Sequence, residues 1–117
     1  MFNFAKAQKI YIAVGYSDLR HGIDGFASMI QNTFHMNPQT QSLFIFCGRR
    51  SDRIKALFWD GDGYILLYKR LESGQYQWPR TTEELKELTP QQFRWLMEGL
   101  NIYQKKMIRP IQKQMLF

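Results

Sequence analysis

Ser42 to Pro79 reads SLFIFCGRRSDRIKALFWDGDGYILLYKRLESGQYQWP, and the pattern of this stretch decides the fold. Leu43 to Cys47 is an unbroken apolar run of strand length. Gly48 to Arg53 (GRRSDR) is too polar and too glycine-led to continue it. Ile54 to Asp60 and Tyr64 to Glu72 predict two further strands, joined across Gly61, Asp62 and Gly63. Asp-Gly pairs supply the positive φ that tight hairpin turns require. Bulky apolar groups on both faces of YILLYKRLE predict a central strand covered on both sides. Ser73 and Gly74 signal another turn, and Tyr76 and Trp78 running into Pro79 fit an edge strand. The whole predicts a β-meander carrying a cationic loop.

Outward from this centre the signals change. Lys9 to Val14 (KIYIAV) predicts a short strand ended by Gly15. Ser17 and Asp18 offer N-cap oxygens to a following helix, in which Ile23, Phe26, Ala27, Ile30 and Phe34 form one apolar face. Gly22 and Gly25 inside it imply close packing against a strand or a later helix start. His35 to Ser42, with Pro38, reads as a connection. Beyond Pro79, Thr81 to Leu88 (TTEELKEL) predicts one or two helical turns. Thr89, Pro90 and Gln92 match a capping box with proline at the first helical position. Phe93, Leu96, Met97 and Leu100 give that helix its stripe, and Gly99 its stop. The expected fold is α+β, a mostly antiparallel β-meander sheet packed against two or three helices. Residues 1–101 form one domain in this reading, and 102–117 a basic C-terminal tail or helix.

The chain has 117 residues, 44% of them hydrophobic, which suits one packed core. Sixteen Lys and Arg against ten Asp and Glu leave a net charge of +6. That surplus favours a polyanionic partner. Cys47 is the sole cysteine, so an internal disulfide and a four-cysteine zinc site are both excluded. The apolar runs are too short for a membrane span, and MFNFAKAQK lacks the apolar stretch of a signal peptide. A cytoplasmic protein without membrane contact is expected.

Signals for catalysis are weak. His21 and His35 belong to no metal-ligand spacing, and Cys47 lies within an apolar run. Asp60 and Asp62 resemble the start of a calcium loop, but Tyr64, Leu66 and Tyr68 stand where later oxygens are needed. Hairpin chemistry accounts for both aspartates. Glu84-Leu85-Lys86 has the acid-x-lysine form of some metal-dependent nucleases, in a stretch that otherwise reads as a solvated helix face. No glycine-rich phosphate loop opens a helix. The expectation is a protein that is not an enzyme and carries no cofactor.

Cations are better placed. Arg49, Arg50, Arg53, Lys55, Lys69 and Arg70 make six positive charges against three aspartates between Arg49 and Arg70. Arginine forks suit phosphate oxygens, and a hairpin would hold them on one platform. The same charges also suit a merely solvated face. Trp59, Tyr68, Tyr76 and Trp78 lie near them in sequence. Trp59, Tyr76 and Trp78 are candidates for base stacking or partner contact, and equally for core or cross-strand pairs. In the tail, Lys105, Lys106 and Arg109 beside Ile102, Tyr103, Met107 and Ile108 fit either an amphipathic helix or a frayed terminus.

Three segments go further. YSDLRHGIDGFASMI (Tyr16 to Ile30), the Ser42 to Pro79 stretch and LTPQQFRWLMEGLN (Leu88 to Asn101) closely resemble, in the same order, the TnpB-type accessory proteins of the insertion sequence 66 family. These are the products of the element's second open reading frame. The shared motif lies at Asp18, Arg20, Gly22, Asp24 and Gly25, at Gly48, Arg49, Arg50, Asp52 and Arg53, and onward through Lys55, Trp59, Asp60, Gly61, Gly63, Tyr68, Lys69, Arg70, Leu71, Glu72 and Trp78 to Pro79. Cys47 and Ser51 stand where further arginines are expected, and the basic tail exceeds the usual core. The resemblance implies a small bacterial helper of transposition, encoded beside a separate transposase and itself non-catalytic. Its partners would be DNA, the transposase or another element-encoded protein. The RNA-guided nuclease that shares the name TnpB is a different protein, whose acidic motifs and zinc cysteines are absent here. Three functions are therefore carried forward: DNA phosphate binding through the arginine loop, docking of the transposase without DNA contact, and a metal-dependent nuclease using Asp60, Asp62 and Glu84.

Overall fold

The computed structural model describes residues 6–82, 84–104 and 108. Five strands form one sheet: β1 (Lys9–Ala13), β2 (Ser42–Cys47), β3 (Arg53–Trp59), β4 (Tyr64–Arg70) and β5 (Leu85–Leu88). Their spatial order is β4-β3-β2-β1-β5. β2–β3, β3–β4 and β1–β5 pair antiparallel, and β1–β2 pairs parallel. Helix α1 (Ile23–Ser28), extended by π-helical turns over Met29–Thr33, makes the crossover that a parallel pair requires. Helix α2 (Pro90–Met97) follows β5. The fold is α+β, mostly antiparallel, as the sequence predicts.

All six residues of β2 are buried. Its side chains alternate between two cores, one on each face of the sheet. Phe44 and Phe46 meet Phe26 and Ile30 of the α1 layer; Leu43, Ile45 and Cys47 meet Leu96, Tyr76 and Trp78 on the other face. This makes β2 the central strand. β4, expected in that role, is an edge strand; it is apolar on both sides because α1 and the opposite core each reach over one of its faces. Coverage of two faces fixes a strand's apolar pattern without saying how many strands flank it.

Two other segments depart from expectation. Residues 71–82 are not a strand: they cross the face opposite α1 as irregular chain, burying Tyr76 and Trp78. Thr81 to Leu88 is not helical, since Leu85–Leu88 adds to β1 as the other edge. Leu85 and Leu88 there pack into opposite cores. Two smaller differences concern helix ends. Helix α1 begins at Ile23 with Gly22 as its cap, because the Asp18 carboxylate turns back onto the backbone N–H of Arg20. Gly25 lies under His21, where a Cβ would come within 2.6 Å of Nδ1. Leu100 of the α2 stripe is 42% exposed.

The start of α2 follows expectation closely. Thr89 Oγ1 accepts from the Gln92 N–H and the Gln92 side chain accepts from the Thr89 N–H, with Pro90 in the first turn. Gly99 takes φ +83° beyond its end. Ile102 is buried in the core beside Leu96. Lys105, Lys106, Met107 and Arg109, on which the tail-helix expectation rests, lie outside the described residues. No helix among the described residues is long and apolar enough to cross a membrane.

Candidate nucleic-acid interface

Because β1 and β2 run parallel, the segments leaving their carboxyl ends sit side by side. Gly15 to Arg20 follows β1, and Gly48 to Asp52 follows β2. In open sheets such neighbouring carboxyl ends form natural crevices for ligands. Here they enclose a cleft of about 580 Å³ lined by Tyr16, Ser17, Asp18, Leu19, Arg20, Gly48, Arg49, Arg50, Arg53 and Tyr68. The Ser17 N–H donates to the Cys47 carbonyl at 2.9 Å and ties the two segments together.

The arginine loop is braced from behind by the irregular segment 71–80. Leu71 N–H donates to the Asp52 carbonyl and Tyr76 N–H to the Ser51 carbonyl, both at 2.7 Å. The Gln75 amide donates to the Arg50 carbonyl at 2.9 Å. Half-buried Arg80 completes the brace. Its guanidinium donates to the Gly15 carbonyl at 3.1 Å, to the Gly48 carbonyl at 2.9 Å and to Ser51 Oγ. The same group lies 3.8 Å from the Tyr16 ring centroid. One arginine thus joins both walls of the cleft. Ser51 is held at φ +62°, an unusual conformation for a residue with a side chain.

The six predicted cations are not equivalent. Arg49 and Arg50 are exposed on the cleft, and Arg49 sits 5.0 Å from the Tyr16 centroid. Neither has a carboxylate partner among the described residues. Arg53 lines the same cleft with its guanidinium donating to both Asp52 oxygens, at 2.8 and 3.1 Å. Lys55, on the same sheet face, donates to the His21 carbonyl at 3.1 Å. Arg70 pairs in register with Arg53 and lies 3.6 Å from Glu72. Lys69, one residue along, falls on the opposite face with Ile65 and Leu67. The structure therefore gathers Arg49, Arg50 and Arg53, leaves Lys55 and Arg70 flanking, and separates Lys69.

Of the four aromatics near the charges in sequence, Tyr68 joins the cleft, while Trp59, Tyr76 and Trp78 do not. Tyr76 and Trp78 are 2% and 6% exposed, so neither offers a face to a base. Trp78 Nε1 donates to the Ala13 carbonyl at 2.8 Å. Trp59 stands at the other end of β3, about 20 Å from Arg53 by strand rise, edge-to-face with Tyr64. Beside Tyr68 the cleft has Tyr16, which the sequence reading did not single out; the two are 55% and 54% exposed. Arg20 was missed as a cleft residue, and Arg80 as the brace behind it. Arg20 carried a family motif position but no charge argument, and Arg80 sits outside the charged run. The available signal was topological: a crossover between two apolar strands predicts a parallel pair, and hence adjacent carboxyl-end loops.

Two arginines are charge-balanced where they stand. Arg20 forks onto Asp18 at 2.8 to 3.2 Å, and this holds the Asp18 carboxyl well below the usual carboxylate range. Arg53 lowers Asp52 in the same way. Behind the loop, burial pushes the Cys47 thiol up to about 11, so it is neutral and unreactive at ordinary pH.

Asp60, Asp62 and Glu84 do not meet. The two aspartates lie in the β3–β4 hairpin, while Glu84 precedes β5 at the other sheet edge and the other end. No group of three or more His, Cys, Asp or Glu that could hold a metal occurs among the described residues. The nuclease alternative therefore has no assembled acidic centre.

Comparison with known proteins agrees with the motifs. A family model described as IS66 Orf2 like protein matches residues 8–107. The uncharacterised protein y4hO of Sinorhizobium fredii is 32% identical over 93 residues, covering 80% of this chain and 81% of its own. A second uncharacterised protein of that organism, y4jC, is 30% identical over 101 residues, 86% of each chain. No solved structure matches.

Proposed function

The chain belongs to the IS66 Orf2-like family, and from that premise we propose that it serves transposition of an insertion element as a non-catalytic helper, gripping DNA phosphates in the cleft between the carboxyl ends of β1 and β2. One observation carries this reading: Arg49 and Arg50 line a formed concavity with no salt-bridge partner among the described residues, beside the anchored guanidiniums of Arg20 and Arg53. Guanidinium forks match phosphate oxygens in pairs, and their anchoring by Asp18 and Asp52 limits the side-chain entropy lost on contact.

The test is fluorescence anisotropy of labelled DNA across a salt series. Two to four neutralised phosphates give a log–log slope of about −2 to −4 on duplex DNA. Replacing Arg49 and Arg50 together with alanine should weaken binding about tenfold or more and flatten the slope by roughly 2. Loss should be similar for all sequences, since phosphate contacts carry no base code. An absence of salt-sensitive binding at micromolar protein would defeat the proposal.

A second reading, docking of the transposase or another element-encoded protein, is favoured by the open edge of β4. This seven-residue strand pairs on one side only, and its last three residues, Tyr68, Lys69 and Arg70, are exposed. Co-purification with the transposase from nuclease-treated lysate supports it; association lost with the nucleic acid returns the case to DNA.

A further inference from the structure

We infer that the cleft accepts an unpaired nucleotide of single-stranded DNA, with the Tyr68 ring as its stacking platform. The inference rests on the DNA reading above and says which form of DNA the site fits.

Shape is the first argument. At about 580 Å³ the concavity lies in the range of pockets that enclose a small organic group. A duplex can set phosphates against Arg49 and Arg50, but its bases stay stacked within the helix, out of reach of Tyr68. An unpaired base can enter.

The lining is the second argument. Two of the largest exposed apolar surfaces among the described residues, Tyr16 and Tyr68, meet in this one cleft. Their rings differ in what already covers them. Tyr16 carries the Arg80 guanidinium at 3.8 Å and that of Arg49 at 5.0 Å, so it is a fixed wall. Tyr68 stands on β4 opposite Lys55, whose ammonium lies 5.8 Å from its ring, and its hydroxyl interacts with Arg53. Its ring is rigidly mounted and more than half open. Exposed aromatic rings beside cations are the recurring means of holding single strands, because every base has a stackable face.

Charge is the third. Arg49 and Arg50 remain free for the phosphates on either side of a stacked base. Asp18 and Asp52, which could have read base edges, are already occupied by Arg20 and Arg53. The site therefore holds a nucleotide with little preference for which one.

Anisotropy with labelled oligothymidine and with a mixed-sequence duplex, at equal salt, tests this. Wild-type protein should prefer the single strand. Tyr68→Leu should weaken oligothymidine binding about 5- to 100-fold and erase that preference, while Tyr68→Phe keeps it. Photo-crosslinking of iodouracil-substituted single strands should modify the peptide containing Tyr68. Equal or tighter binding of duplex, or a Tyr68→Leu loss that is the same for both polymers, overturns the inference. If the Arg49 and Arg50 double variant still weakens both, the DNA reading survives that outcome. Failure of the wild-type protein to bind either polymer ends both.

Discussion

Two loops join neighbouring antiparallel strands in this sheet, and they are built on opposite plans. The β3–β4 loop is self-sufficient. Gly61 takes φ +87°, Asp60 N–H donates to the Gly63 carbonyl at 2.8 Å, and the turn closes on its own residues. The β2–β3 loop has a turn bond of its own, Ser51 N–H to the Gly48 carbonyl at 3.2 Å, but is otherwise held from outside. Its carbonyls at Gly48, Arg50, Ser51 and Asp52 are all taken by donors between Leu71 and Arg80. The first loop only reverses the chain. The second presents three arginines in a fixed arrangement, which four polar residues with mutual repulsion would not hold alone.

Breaking the external brace should have the largest effect. Arg80→Ala removes three charge-assisted hydrogen bonds, leaves the buried Gly15 carbonyl without this donor and leaves the Gly48 carbonyl only the Ser51 N–H. Urea unfolding should show a loss of about 2 to 4 kcal/mol, and DNA affinity should fall with it although Arg80 does not line the cleft. Arg80→Lys should recover little, since one ammonium cannot span both walls.

Alkaline pH attacks the same region through Cys47. The folded thiol stays protonated up to about 11, whereas the unfolded thiol ionises near its ordinary value of 9.0. Stability is therefore full below that ordinary value and declines as pH rises toward 11, by no more than about 3 kcal/mol. Cys47→Ala should flatten this decline in denaturant titrations from neutral to alkaline pH, and thiol reagents should label Cys47 only as the protein opens.

The self-sufficient loop should respond differently. Gly61→Ala meets no neighbour but forces a side chain into the left-handed region, costing about 1 to 2 kcal/mol. DNA binding should be unchanged once folded protein is compared with folded protein. A parallel loss of binding would mean that the two loops are coupled.

The smallest effect sharpens the comparison. Asp52→Asn frees the Arg53 guanidinium while the loop backbone keeps its brace, so affinity for DNA should rise about two- to fivefold in anisotropy at low salt. In the wild-type protein the Asp52–Arg53 attraction is present above the ordinary carboxylate pKa. It fades as pH falls through the lowered folded value.

The same contrast explains what could be read from the chain beforehand. The Asp-Gly hairpin, the Thr89–Gln92 capping box and the all-apolar β2 were legible, because each is decided by residues within a few positions of one another. Residues 71–88 were not. Tyr76, Trp78 and Pro79 have strand chemistry, yet their backbone bonds go to the arginine loop and to Gly15 rather than to a strand. Glu84 to Leu88 has helical composition, yet the open edge of β1 offers a ladder that overrides weak local preference. In the cleft, Arg49, Arg50 and Arg53 were legible as charges. Tyr16 and Arg20 entered only through the parallel pairing of β1 with β2, a relation between segments about thirty residues apart.

Arg80 trails Gly48 by 32 positions in the chain. At translation speeds of about 5 to 20 residues per second, the ribosome emits the arginines roughly 2 to 6 seconds before their clasp. During that interval the nascent segment carries charge but no mould for a ligand. A message cut short before codon 80 would yield a chain with nine Lys and Arg against six Asp and Glu and an unclasped arginine loop, whereas the finished chain gains its clasp late in synthesis.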